Sequence, residues 1–501
     1  MVGAPHDNFK PMNTLLNRTR AAVWHPCTQM KRLDAAPPLA VARGEGAWLV
    51  DSDGRRYLDA ISSWWVNLFG HCNPRINAAI VDQLGKIEHV MLAGATHLPV
   101  VELSERLAQL TGLGHAFYGS DGASATEIAL KMSAHYWRNV GKPEKAGFVS
   151  LQNGYHGETV GALSVTDIPL FKSTYAPLLR HTAQVPTPDA RRAEPGESAE
   201  SYALRCADAL EAHLAEHAGT TAALILEPLV QGAAGMAMYS PVYLSRAREV
   251  CDRYQVHLIA DEIAVGFGRT GTMFACEQAP RRQSAHSPAE TTPPSRSRRA
   301  APAESGGGFG RTGTLFACEQ APSHASRLTP HASAIRPDFI CLSKGLTGGY
   351  LPLSAVLTTD AVYAAFYDDE TARGFLHSHS YTGNPLACRA ALAVLDIFEQ
   401  DDVIAANRDK GEVFTDIMQP VFTHSAVRHP RRLGMIWAFD VPAAAPGFAD
   451  RFHRAALAAG AFVRPIGRTV YAMPPYVTTA DDMRHLVRAL TAGLAPAVIA
   501  P

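Results

Sequence analysis

The residues best placed for chemistry in this 501-residue chain fall at the ends of apolar runs. Lys344 follows Phe339-Ile340-Cys341-Leu342 and precedes Gly345-Leu346-Thr347-Gly348-Gly349. That pattern reads as a buried strand running into a glycine-rich loop. Ligands of open α/β sheets bind at the carboxyl ends of the strands, which is where this lysine falls. Its amine suits a Schiff-base nucleophile, a phosphate contact or an ordinary solvated loop residue. Carboxylates stand at similar places. Ala222-Ala223-Leu224-Ile225-Leu226 runs into Glu227, and Val256-His257-Leu258-Ile259-Ala260 runs into Asp261-Glu262. Continuous apolar runs of this length are typical of parallel strands buried on both faces.

Three more stretches carry polar or aromatic groups worth following. Tyr118-Gly119-Ser120-Asp121-Gly122-Ala123-Ser124 leads into a helix with Ala125, Ile128, Ala129, Met132 and Tyr136 on one face. Ser124 and Glu127 have the spacing of a capping box. A helix start of small residues offers free N–H groups and a positive dipole end, which suit a phosphate. Phe148-Val149-Ser150-Leu151 reads as a strand, and Asn153-Gly154-Tyr155-His156-Gly157-Glu158 follows it. There an aromatic and a histidine would cover a flat ligand, or simply turn the chain. In Ser62-Ser63-Trp64-Trp65 the adjacent tryptophans point different ways on any regular element, so one is free to line a pocket.

The elements that must position these groups follow a βαβ pattern. Helical stretches such as 241–254 join the apolar strands, so the sheet is expected to be mainly parallel. Trp48 to Asp59, with Ser52-Asp53-Gly54 at its centre, carries a hairpin signal. Residues 385–400 and 403–418 read as helices. Beyond them, strands at 433–440, 461–464 and 469–473 alternate with helices at 449–458 and 480–493. The expectation is an α/β chain of three parts. Residues 1–70 contribute to a small domain and the active site, 71–395 form a large domain, and 396–501 form a smaller α+β domain.

The chain also repeats itself once. The fifteen residues from Gly266 to Pro280 recur from Gly308 to Pro322, an offset of 42, and only Met273 and Leu315 differ. A single near-identical copy is a local duplication, not a solenoid. The spacer, from about Arg281 to Gly307, is rich in Pro, Ser, Ala and Arg, lacks the apolar side chains to form a core and is expected to be disordered, within a duplicated or disordered insert of about 280–334. The first copy is expected to dock, because it continues directly from the run ending at Asp261.

Composition narrows the class. Apolar residues make up 47%, and 46 Lys+Arg against 47 Asp+Glu leave a net charge of -1. No overall basic field points to nucleic acid. The eight cysteines show no CxxC or metal spacing, and no run reaches the length of a membrane span. The expectation is a cytoplasmic enzyme without a metal. Gly266-Phe267-Gly268-Arg269-Thr270-Gly271 matches a lone GxGxxG, but it opens no clear helix, which disfavours a dinucleotide site.

A strand-end lysine, a strand-end aspartate, a phosphate-type helix start and an aromatic cover are together what pyridoxal phosphate requires. At this point the chain resembles the class-III aminotransferases of fold type I. Asp261-Glu262-Ile263 with Gly266-Phe267-Gly268-Arg269-Thr270-Gly271, and Leu342-Ser343-Lys344, carry that resemblance. Within the class it is similar to the adenosylmethionine–8-amino-7-oxononanoate aminotransferases of biotin synthesis. The residues are Trp24-His25-Pro26, Ser62-Ser63-Trp64-Trp65, His377 to Pro385, Arg464-Pro465 and Tyr471 to Tyr476.

The resemblance implies a role for each matching position. Lys344 is the Schiff-base lysine and then the base that moves the proton. Asp261 pairs with the pyridine nitrogen, and Gly122 and Ala123 donate backbone N–H groups to the phosphate. His379 and Ser380 reach the phosphate in the neighbouring subunit, which makes a homodimer with shared active sites. Tyr155 lies near the ring and touches substrate. Trp64 lines the pocket for the apolar chain, Arg464 receives a carboxylate, and Ser378 offers a contact to the second subunit's substrate. Tyr471 and Cys27 complete the substrate set, although the family usually has a tyrosine where Cys27 stands, and threonine is common at Ser380. The implied reaction passes the amino group of S-adenosylmethionine to 8-amino-7-oxononanoate, giving 7,8-diaminononanoate. Two alternatives stay open: a class-III enzyme with an ω-amine donor, and a cofactor-binding protein impaired by the duplication.

Overall fold

The computed structural model describes residues 14–34, 36–280 and 335–500. Its centre is a seven-stranded sheet. In spatial order the strands are His115–Gly119, Ser354–Thr358, Phe339–Leu342, His257–Asp261, Thr221–Leu226, Gly147–Leu151 and Ala183–Val185. Every pairing is parallel except the two made by Ser354–Thr358. The expected α/β architecture with a mainly parallel sheet is therefore present. In register, Asp261 sits opposite Cys341, so the carboxylate and Lys344 leave adjacent strands at the same edge.

The sheet is buried on both faces, as its apolar runs require. On one face lies the helix Gly122–Asn139, whose Ala125, Ile128, Ala129 and Met132 pack with Ile225, Ile259, Phe339 and Cys341. On the other, Ala199–His217 and Val242–Arg253 bury leucines and alanines in a second cluster. The helix Gly122–Asn139 departs from the expected start. Asp121, not Ser124, caps it, accepting from the Ser124 N–H at 2.9 Å. Glu127 closes no capping box. Its carboxylate accepts from the Thr159 hydroxyl and the Gly161 N–H, both at 2.7 Å, and so pins a distant loop.

Towards the C-terminus the helices Pro385–Gln400 and Ala480–Gly493 lie as read, while the helix at 403 runs on to Phe422. The expected strand over 433–440 is instead a hairpin, Arg428–Leu433 and Ile436–Asp440, turning at Gly434. Gly434 has φ +55°, and a Cβ there would meet the Thr270 carbonyl carbon at 2.3 Å. Only glycine allows the first repeat copy to lie that close. Trp48–Asp51 and Arg56–Asp59 form the expected hairpin, and Arg56–Asp59 also pairs in parallel with Ala461–Phe462. That pairing ties the N-terminal segment to the C-terminal part. The helices Pro74–Leu84 and Leu98–Thr111 and the strand His115–Gly119 were not anticipated in the sequence.

The first repeat copy is built into the core. Phe267, Arg269, Phe274 and Ala275 are buried. The Glu262 carboxylate accepts from the Ala275 and Cys276 N–H groups at 2.9 and 2.8 Å, and Met435 N–H donates to Arg269 O at 2.9 Å. The second copy and the spacer lie outside the described residues.

Candidate active site

The carboxyl edge of the sheet opens into a cleft of about 710 Å³. Lys344 stands at its base, in the short 3₁₀ turn Lys344–Thr347 that follows the strand Phe339–Leu342. Its φ of +46° is uncommon for a residue with a side chain, a feature that clusters at functional sites. The side chain is half-buried, with Nζ 5.4 Å from the Trp65 ring centroid. Burial pushes its pKa below the ordinary lysine value, while the carboxylates of Asp261 and Glu227 pull it back up. Some neutral amine, the nucleophilic form, is thereby favoured.

Asp261 ends its strand with its side chain buried. Its Oδ2 lies 2.7 Å from His156 Nδ1, and Oδ1 accepts from the Ile263 N–H at 3.2 Å. His156 lines the cleft beside Tyr155 and also reaches back to this carboxylate. It is buried and braces the aspartate, because Thr166 Oγ1 accepts its backbone N–H at 2.9 Å and fixes the loop. Tyr155 does lie on the cleft wall, its hydroxyl donating to Glu158 at 2.9 Å. Burial first, and Glu158 second, hold the phenol pKa above its ordinary value.

Glu227 is the carboxylate that sequence reasoning left without a task. It accepts from the Tyr155 N–H at 3.0 Å and the Gly232 N–H at 2.9 Å. Burial pushes its pKa up to about 7, with His156 opposing and Asp261 reinforcing. Its place at a strand end was visible in the sequence; its burial among these partners was not.

Gly122 and Ala123 form the cleft wall at the start of Gly122–Asn139. Asp121 takes the N–H groups of Ser124 and Ala125, which leaves those of Gly122 and Ala123 for a ligand. A Cβ at residue 122 would meet Ile263 Cγ2 at 3.0 Å. Cys27, itself with φ +49°, faces the same cleft. Its thiol pKa is raised by burial and by Glu158, while Arg464 lowers it.

Trp64 and Trp65 both line the cleft, one more than the sequence suggested. They sit in the turn Ser62–Trp65, where all four residues have positive φ. Each left-handed non-glycine residue costs roughly 1–2 kcal/mol, so the surroundings must enforce the turn. Trp65 is buried and donates from Nε1 to the Tyr471 hydroxyl at 3.1 Å. Tyr471 therefore backs the wall and does not line it. Arg464 is exposed, its guanidinium 5.0 Å from the Trp64 ring centroid. Ser378, His379 and Ser380 are also off the cleft of their own chain. His379 Nδ1 contacts Ser120 Oγ at 3.0 Å, and both serines are exposed.

The sequence profile of the family described as Aminotransferase class-III matches residues 30–283 and 304–494. The chain belongs to the class-III aminotransferases. Relatives in the class include the adenosylmethionine-8-amino-7-oxononanoate aminotransferases of Helicobacter pylori and Geobacter sulfurreducens. The first is 39% identical over 93% of this chain and 94% of that relative; the second is 37% identical over 95% and 96%. The crystal structure of the enzyme of the same name from Methanocaldococcus jannaschii superposes with a TM-score of 0.79 at 32% identity, covering 96% of this chain and 98% of that one. An omega transaminase from Pseudomonas jessenii, solved in complex with PMP, reaches a TM-score of 0.81 at 26% identity, covering 96% and 97%. As a class-III aminotransferase the chain is a pyridoxal phosphate enzyme.

The residues of the cleft fit that cofactor. His156 Nε2 is buried with no partner among the described residues, the helix start presents free N–H groups, and an amine and a carboxylate share one sheet edge. Among those residues no cluster of ligating side chains forms a metal site, and no helix is long and apolar enough to cross a membrane.

Proposed function

We propose that the chain transfers the amino group of S-adenosylmethionine to 8-amino-7-oxononanoate, giving 7,8-diaminononanoate, the biotin-pathway step that the resemblance implied. The observation that carries the reading is the names of relatives up to 39% identical over nearly the whole chain. The cleft supplies the means. Pyridoxal phosphate, when bound, stores the amino group of a donor and passes it to an acceptor ketone. Lys344 Nζ holds the cofactor, and then moves the proton at the substrate carbon that carries nitrogen. Asp261, braced by His156, keeps a proton on the ring nitrogen. Gly122 and Ala123 hold the phosphate through backbone N–H groups, with the helix dipole behind them.

Substrate contacts divide by chemistry. Trp64 and Trp65 give the apolar acceptor chain a wall that excludes water. Tyr155, with Glu158 accepting from its hydroxyl, faces the substrate across the cleft, beside Cys27. Arg464 receives a carboxylate with its planar fork. Two copies of the chain form a homodimer, in which Ser378, His379 and Ser380 serve the neighbouring cleft. The exposure of the two serines in the single chain supports this. Residues 1–70 and 396–501 act together as the smaller unit beside the large domain of 71–395.

The test uses protein loaded with pyridoxal phosphate. S-adenosylmethionine alone should bleach the cofactor's visible absorbance, and adding 8-amino-7-oxononanoate should restore it while 7,8-diaminononanoate accumulates. Bleaching by simple ω-amines but not by S-adenosylmethionine overturns the substrate assignment.

A further inference from the structure

The turn Ser62–Trp65 is wound against the preference of its residues. Ser62, Ser63, Trp64 and Trp65 have φ of 51, 47, 72 and 73°. Trp65 N–H donates to Ile61 O at 2.8 Å, and Val66 N–H to Ser62 O at 3.0 Å, so one helical turn is made in the left-handed sense. None of the four is glycine or asparagine, the residues that tolerate that region best. Something outside the turn has to hold it.

Asp59 does so with both oxygens. It ends the strand Arg56–Asp59 and is fully buried. Oδ1 accepts from the Ser63 N–H at 2.9 Å, and Oδ2 accepts from the Ser63 hydroxyl at 2.7 Å. His71 Nε2 lies 3.0 Å from the same Oδ2 and steadies the carboxylate from behind. Other braces act at and beyond the ends of the turn: Ser62 Oγ donates to Met473 O at 2.7 Å, Trp65 Nε1 donates to the Tyr471 hydroxyl at 3.1 Å, and Arg269 donates to Trp65 O at 3.4 Å and Asn67 O at 3.0 Å. Among the described residues only Asp59 hydrogen-bonds the middle of the turn, at the residue before Trp64.

We propose that Asp59 is a positioning residue for substrate, holding the left-handed turn so that Trp64 and Trp65 form the apolar wall of the cleft. It touches neither substrate nor cofactor and acts through Ser63. The effect on acceptor binding rests on the proposed reaction; the hold on the turn does not.

The experiment compares Asp59→Asn and Ser63→Ala with the parent protein. Near-UV circular dichroism of the tryptophans is recorded with and without pyridoxal phosphate, and steady-state kinetics with the loaded enzyme. Asp59→Asn weakens both grips on Ser63, and Ser63→Ala removes only the hydroxyl. The expected result is an altered tryptophan signal in both states. KM for 8-amino-7-oxononanoate should rise about tenfold in Asp59→Asn and less in Ser63→Ala, with kcat within about threefold. Adding Ser63→Gly to Asp59→Asn should return signal and KM towards the parent, because glycine adopts positive φ without a clamp. An unchanged signal in both variants overturns the proposal. So does a loss of kcat and melting temperature together that glycine does not repair, which marks a scaffold role alone. If the parent does not turn over this acceptor, the proposed reaction fails, and the dichroism and glycine-repair arms still decide whether Asp59 holds the turn.

Discussion

His156 Nδ1 sits 2.7 Å from Asp261 Oδ2, with both side chains buried. A partner of this kind fixes where a catalytic carboxylate points, and the other histidine nitrogen has no partner among the described residues. His156→Ala should loosen pyridoxal phosphate by about tenfold while the sheet stays folded. Equilibrium dialysis of the cofactor, alongside far-UV circular dichroism, checks both halves. Undiminished affinity would show that the pair matters only for packing.

Lys344 is the only lysine lining the cleft among the described residues. Lys344→Ala should remove transamination entirely and leave the cofactor held, if at all, by non-covalent contacts. Turnover measured with saturating substrates decides it. Any parent-like rate would remove Lys344 from its role.

Arg464 stands over the Trp64 ring, its guanidinium 5.0 Å from the centroid, with no ion pair among the described residues. Arg464→Ala should raise KM for a carboxylate-bearing substrate by 10- to 100-fold, roughly the worth of a charge-assisted pair, and change kcat less. Arg464→Lys should recover only part, because an ammonium lacks the planar fork. Initial rates over a range of each substrate separate these outcomes.

Glu262 is fully buried, and burial pushes its carboxyl pKa up to about 7. A folded-state pKa above the unfolded one means the native chain holds more protons through that window. Stability should therefore be greatest below the ordinary glutamate pKa and fall as pH rises towards about 7. The fall assigned to this one group is on the order of 3 kcal/mol at about 1.4 kcal/mol per unit. Thermal melts of cofactor-free protein from about pH 5 to 8 should slope more steeply for the parent than for Glu262→Gln. Parallel slopes would refute the attribution.

The first repeat copy fills its place in the core, so one copy suffices for the packing described. Deleting residues 281–322 leaves Gly266 to Pro280 intact and restores a single-copy chain. That variant should fold, bind the cofactor and turn over at least as well as the parent. The connection between Pro280 and Ile335 shortens from 54 to 12 residues, about two halvings, worth roughly 1.3 kcal/mol at about 0.6 kcal/mol each, so the melting temperature should rise slightly. Loss of cofactor binding would mean the second copy has a task of its own.

Much of the central sheet and its flanking helices was legible because their signals are local. The runs ending at Leu226, Asp261 and Leu342 are continuous and apolar, and each is a strand of the central sheet. The helix faces at Ala125 to Met132 and in Pro385–Gln400 follow from periodicity. The hairpin turn at Gly434 was missed because its reason is a backbone 164 residues away, at Thr270. The capping box at Ser124 failed for a similar reason: Glu127 found better partners at Thr159 and Gly161, which spacing along one helix does not reveal.

By itself the sequence determined which groups would stand at strand ends, because the burial of both sheet faces is written in residue type and run length. It determined the amine, the carboxylates and the helix start, and through its motifs the class of enzyme. Only the tertiary structure decided what those groups do for one another. It joined His156 to Asp261, set Glu227 against the Tyr155 N–H, moved Tyr471 behind Trp65, and wound Ser62–Trp65 left-handed on Asp59. The first three depend on contacts between segments remote in the chain, and the turn, though Asp59 is only four residues from Ser63, is also braced by Arg269 and Met473. Burial and hydrogen bonding across such distances arise from packing, and no local pattern encodes them.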